Sequence, residues 1–166
     1  MILNGRISVI GLGSPIMTDD SIGLRIAQRI ADRQLPDTDV HQEAVGGLDV
    51  LPLLRGYSHA VIVDAIQTWQ YAPGTVLIFD VGDFESTVGE ASAHDVNLAT
   101  AIRIGRQMDP DSMPRDVKFV AMEIADMQTM SEELTPNVAA QVDSAERAVL
   151  HVIDEFRRTN GRMPSA

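Results

Sequence analysis

The sequence predicts an α/β protein of three layers, an α/β/α sandwich with helices on both faces of a mostly parallel sheet. Three observations carry this. Short apolar runs alternate with segments of helical periodicity. One run, His59-Ala60-Val61-Ile62-Val63-Asp64, is apolar up to its terminal carboxylate, as in a strand buried on both faces. The opening stretch, Ile7 to Gly23, reads as strand, glycine turn, two adjacent carboxylates and helix.

Taken in order, Ile7 to Ile10 is the first buried strand. Ile22, Ile26 and Ile30 recur at helical spacing and carry a helix to Arg33. Pro36 and Asp37 turn the chain into a second strand, Asp39 to Ala44, which Gly46-Gly47 breaks. Leu48, Leu51 and Leu54 mark a short helix ending by Gly56, before the third strand and its closing Asp64. Pro73-Gly74 precedes a fourth strand, Thr75 to Phe79, and residues 81–93 read as an acidic loop. Asp95 to Met108 is helical, and Val117 to Ile124 is the fifth strand. Thr135 as N-cap and Pro136 at the first helical position start the last helix. Its face runs through Val138, Val142, Ala145, Val149, Ile153 and Phe156, and a polar, frayed tail is expected from Thr159. The mixed, twisted sheet thus has about five strands.

The 166 residues make one domain, 1–166, the default, and 45% apolar content suffices for a core. A formal charge of −11 argues against nucleic-acid and anionic-membrane partners, whose affinity needs a basic surface. The absence of cysteine excludes disulfides, thiolate metal sites and a cysteine nucleophile. No apolar run reaches the ~20 residues needed to span a bilayer, and residues 1–10 lack the features of a secretory signal. A cytoplasmic location is expected, with no membrane partner.

Gly11-Leu12-Gly13 resembles a dinucleotide loop up to Gly13 and then departs from it. Pro15 removes an N–H group, and Asp19 and Asp20 put negative charge where phosphates would sit. A cation or a shared proton suits the site better. Ligand sites in open α/β sheets lie at the carboxyl ends of the strands. Three candidates gather there: Asp20 after the first strand, Asp64 closing the third, and His94 opening a helix. Each also has a plain structural role open to it. Asp19 and Asp20 suit a helix N-terminus, Asp64 could cap a turn, and His94 could be a surface residue. Together, two carboxylates and a neutral imidazole make a three-ligand set for a divalent transition metal, with water or substrate completing the shell. Gly46-Gly47 is either a turn needing positive φ or a backbone that approaches a substrate. Trp69 is expected to cover the core, with an exposed contact near the site as the other possibility. His41, His59 and His151 read as structural. No Gly-x-Ser-x-Gly turn is present, so a serine nucleophile is not favoured.

The ordered set Gly11-Leu12-Gly13-Ser14-Pro15, Thr18-Asp19-Asp20-Ser21-Ile22-Gly23, Val63-Asp64-Ala65, Pro73-Gly74-Thr75, Ser92-Ala93-His94 and Leu134-Thr135-Pro136 resembles the hydrogenase maturation proteases. The match runs from residue 7 to about 156. The resemblance implies an α/β/α sandwich with a mixed sheet. It implies an endopeptidase that removes a short C-terminal extension from the large-subunit precursor of a nickel–iron hydrogenase once nickel is inserted. The family's metal-contacting positions fall on Asp20, Asp64 and His94, which are the candidate catalytic residues, while Gly46 and Gly47 are the candidate substrate-binding residues and only Gly47 lines up with the family's loop. The nickel is supplied by the substrate, with no tightly bound cofactor of the protease's own. Cadmium or zinc would substitute in vitro. The free protein is expected to be a monomer whose partner is the precursor. Attack by water assisted by the metal and carboxylate general-base chemistry both fit.

The departures from the family pattern are Ser14 for the usual Asn, Asp20 where some members carry Glu, and Gln42-Glu43-Ala44-Val45-Gly46-Gly47 where Asp-Gly-Gly-Thr-x-Gly is common. That last loop is a natural place for substrate selectivity. A nonproteolytic nickel-binding or metallochaperone module would use the same three residues. A nucleotide-binding domain is opposed by Pro15 and the acidic pair.

Overall fold

The computed structural model describes residues 4–44, 46–84 and 98–162. Five strands form one sheet: β1 (Ile7–Leu12), β2 (Thr38–Glu43), β3 (His59–Ile66), β4 (Val76–Asp80) and β5 (Asp116–Glu123), in the order β2-β1-β3-β5-β4. All neighbours pair in parallel except β4, which runs antiparallel to β5. Side chains on alternate positions of β3 separate two cores, as the two-residue period requires. Val61, Val63 and Ala65 pack with α1 (Ile22–Asp32) and α5 (Val142–Arg162). Ala60, Ile62 and Ile66 pack with α2 (Leu51–Leu54) and α3 (Leu98–Met108). A short helix, α4 (Pro136–Ala139), precedes α5. This is the expected three-layer α/β/α arrangement.

The strand order places a topological switch between β1 and β3. The chain leaves β1 for β2 on one side and returns to β3 on the other. In open α/β sheets the crevice above such a point, at the carboxyl ends of the strands, receives ligands. Close packing brings α1 down onto that crevice. A Cβ on Gly23 would lie 2.3 Å from the Leu12 carbonyl oxygen and 2.5 Å from that of Val63, so only glycine lets the helix start this near both strands. Gly11 of the loop serves the same contact between helix and sheet, since a Cβ there would lie 2.3 Å from the Gly23 carbonyl oxygen and 2.5 Å from the Ala27 Cβ.

The structure departs from the sequence expectations at several element ends. β3 continues through Ala65 and Ile66, because both pair with β5, so Asp64 lies within the strand instead of closing it. The final helix is interrupted at Ala140 and Gln141, and α5 then runs on to Arg162, past the expected fraying at Thr159. Thr159 sends its hydroxyl to the Glu155 carbonyl and Asn160 reaches the Gly5 carbonyl, which hold that last turn. Thr135 precedes Pro136 in extended backbone, as expected of a cap, but its hydroxyl bonds elsewhere.

Three histidines are structural as expected. His59 is buried and tilted over Phe156 with ring centroids 4.5 Å apart, and burial pushes its pKa down. His41 meets the Tyr57 ring edge-on, and His151 pairs with Glu155 at 3.0 Å on the surface of α5.

Two ion pairs close the opposite end of the sheet. Arg157 of α5 donates to both oxygens of Asp37, at 2.8 and 2.7 Å, and Arg6 does the same to Asp39. The Arg157 hydrogen bond holds the Asp37 carboxyl below its ordinary range. A carboxyl lowered in the folded state stabilises the fold above its unfolded pKa of about 3.9, and that contribution is lost as pH falls through the folded value. Both side chains are 35% exposed, so solvent screening leaves the pair ~0.5–1 kcal/mol. Arg157→Ala is expected to cost about that much near neutrality and progressively less below pH ~3.9. Urea unfolding of parent and variant across this range checks it, and a constant difference at every pH would contradict the assignment.

Candidate active site at the switch point

The residues after β1 form a tight, strained turn. Thr18 adopts φ 53°, a left-handed conformation costly for a β-branched residue. It is held there by its N–H on the Ser131 carbonyl and its hydroxyl on the Thr129 carbonyl. Strain of this kind concentrates at functional sites, where the surroundings over-determine it. The next residues, in the 3-10 turn Thr18–Ser21, are the acidic pair.

The structure separates the two acids that sequence spacing treats alike. Asp19 is fully buried and spends its carboxylate on four donors: the N–H groups of Ala125 (3.0 Å), Asp126 (3.0 Å) and Thr135 (2.8 Å), and the Thr135 hydroxyl (2.8 Å). It clamps the segment after β5 to the turn after β1. Asp20 points back to the glycine loop, where one carboxylate oxygen accepts the Ser14 N–H at 3.1 Å. An amide that a dinucleotide loop would offer to a phosphate is thus occupied by the protein's own carboxylate. Gly13 makes this turn possible: its φ is +151°, and a Cβ there would lie 2.1 Å from the Asp20 carbonyl oxygen.

Asp64 is buried on the neighbouring strand, on the face of β3 that carries Ile62 and Ile66, and accepts the Ala65 N–H at 2.8 Å. The turn bearing Asp20 packs against β3. Asp20 and Asp64 therefore flank the crevice from β1 and β3. His94 lies outside the described residues, and among the described residues no group of three His, Cys, Asp or Glu is placed to hold a metal. Gly46 and Gly47 follow β2 at the same sheet edge. Gly46 is extended and Gly47 carries the positive φ, 60°, that opens the next turn. Leu48 beside them is exposed.

Trp69 departs from its expected place in the core: it is 81% exposed and adopts φ 63°. The cause is a buried acid that sequence reading passes over. Glu123, at the end of β5, accepts the Thr68 N–H at 2.8 Å and the Thr68 hydroxyl. Thr68 is pinned inward, so the next residue is thrown out to solvent. The signal was available as a carboxylate ending the apolar run Phe119 to Met122, the same pattern that singles out Asp64.

Residues 24–152 match the hydrogenase maturation protease family, HycI. The chain belongs to the hydrogenase maturation protease family. The protease is 29% identical over 153 residues to hydrogenase 2 maturation protease of Escherichia coli K12, covering 90% of this chain and 92% of that one. The solved structure of the hydrogenase maturating endopeptidase HybD from E. coli superposes with a TM-score of 0.79 at 27% identity, covering 90% and 93% of the two chains. The NiFe hydrogenase maturation protease HybD from Thermococcus kodakarensis, 21% identical with a TM-score of 0.71 over 89% and 98%, shares the fold. The protease is accordingly a peptide-bond hydrolase of hydrogenase maturation, which sets the peptidase reading above a nonproteolytic metal carrier. Among its described residues no helix is long and apolar enough to cross a membrane.

Proposed function

We propose that the protease removes the C-terminal extension of a nickel-loaded nickel–iron hydrogenase large-subunit precursor and reads the substrate's nickel through Asp20, Asp64 and His94. The supporting observation is the placement of two buried carboxylates, Asp20 and Asp64, on either side of the switch-point crevice. Carboxylate and neutral imidazole suit a divalent transition metal presented by another chain. A carboxylate that holds water beside the scissile carbonyl supplies the general base. Gly46 and Gly47 border the same edge and give the substrate backbone room to approach. The protease works in the cytoplasm as a monomer, without a resident metal, and cadmium or zinc takes the nickel's place in vitro.

The test is processing of a purified precursor with and without nickel, followed by intact mass. Loss of the extension only from the loaded precursor is expected. Equal cleavage of the nickel-free precursor would overturn nickel sensing, and no cleavage of either would overturn the processing activity itself.

A further inference from the structure

A second recess opens beside the crevice, over the ends of β3 and β5. Its volume is about 280 Å³, and its walls are Gln67 and Trp69 on one side and Asp126, Met127 and Thr129 on the other. Both walls are anchored. Glu123 pins Thr68, whose hydroxyl oxygen accepts the Gln70 N–H at 3.1 Å, so Trp69 is fixed from both sides. Asp19 holds the backbone of Ala125 and Asp126. Gln67 ties the walls together through the Ala125 carbonyl at 3.1 Å.

A large aromatic ring 81% exposed, on a backbone at φ 63°, is unfavourable twice over: apolar surface meets water, and a bulky residue occupies left-handed space. A fold that maintains both is presenting the ring. Among the described residues that line the recess, Asp126 is the only one with an ionisable side chain. Hydrogen bonds from Thr129, and then from the Gln128 amide, keep its carboxyl below the ordinary range, so it stays anionic. An indole ring and a carboxylate lining one recess suit a cation. The chain's −11 charge adds a field of the same sign.

We propose that this recess grips a basic side chain of the precursor polypeptide, Trp69 by its ring face and Asp126 by its carboxylate. This rests on the reading of the chain as a precursor-processing protease.

Trp69 is the chain's only tryptophan, so its fluorescence reports on the recess directly. The probes are two capped heptapeptides of alanine and glycine with either arginine or norleucine at the centre. The arginine peptide is expected to shift the emission saturably below ~10 mM, at least about fivefold more tightly than the norleucine peptide. Asp126→Asn is expected to abolish that preference. No saturable shift, or equal response to both peptides, overturns the proposal. In processing assays Trp69→Asn, which suits left-handed backbone, is expected to raise KM about 3–30-fold with kcat within about twofold and a Tm no lower than the parent's. An unchanged KM overturns the proposal as well. The peptide titration needs no cleavage, so failure of the parent protein to process precursor sinks the functional reading and leaves the recess to be judged by fluorescence alone.

Discussion

Asp64→Asn is expected to lower processing of the nickel-loaded precursor by about a hundredfold or more, with a thermal melt within a few degrees of the parent's. The substitution keeps the size of the side chain and the carbonyl oxygen that accepts the Ala65 N–H. It removes only the negative charge. Asp64 is buried inside β3, between the pairings of Val63 with Val120 and Ala65 with Met122, so the strand holds its shape without that charge. What is lost is a negative charge, and with it the capacity to contact a cationic centre or accept a proton from water. Gel shift or intact mass of the precursor, beside a melt of each variant, measures both quantities. Processing at the parent rate would remove Asp64 from the chemistry. A variant that fails to fold would make the residue structural.

Asp19→Ala is expected to act in the opposite sense, on stability first. Four donors would lose their acceptor inside the protein: three backbone N–H groups and the Thr135 hydroxyl. Each unsatisfied buried donor costs ~1–3 kcal/mol, and after relaxation and water entry the sum should be on the order of 4 kcal/mol. For a chain of this size that lowers Tm by roughly 10 °C. Asp19→Asn keeps one acceptor oxygen but turns an amide NH₂ toward the donors, so an intermediate loss is expected. A calorimetric or circular-dichroism melt suffices, and an Asp19→Ala protein melting within ~2 °C of the parent would show that the clamp contributes little. The contrast between adjacent acids is the point. Removing charge at Asp64 should leave the fold intact, whereas removing Asp19 should loosen the segment 125–135 that walls the site.

Much of this was legible in the sequence because it depends on local pattern. A continuous apolar run flanked by helical periodicity suits a strand covered on both faces, as in β1 and β3, and the five expected strands all appear. The first loop announced itself through residue chemistry: Pro15 and the acidic pair oppose a phosphate site. Asp64 was visible because a carboxylate after a run of apolar residues is costly to bury without a use. The ordered motifs led to the family to which the chain belongs.

The tertiary structure decided what distance along the chain conceals. Asp19 and Asp20 are neighbours with similar local propensities, yet one faces three amides from a segment more than a hundred residues away and the other faces the glycine loop. No local rule separates them, because the difference lies in which way a strained Thr18 turns the chain. Average burial preference places Trp69 in the core, and a long-range contact overrides it: Glu123 fixes Thr68 and leaves the indole outside. Thr135 before Pro136 suits a helix cap, but its hydroxyl donates to the buried Asp19 carboxylate. By itself the sequence determined the layers, the strands and the kind of chemistry the first loop allows, since those follow from side-chain periodicity and charge. Only the fold decided which carboxylate is a clamp and which turns to the glycine loop, because that depends on donors supplied by distant backbone.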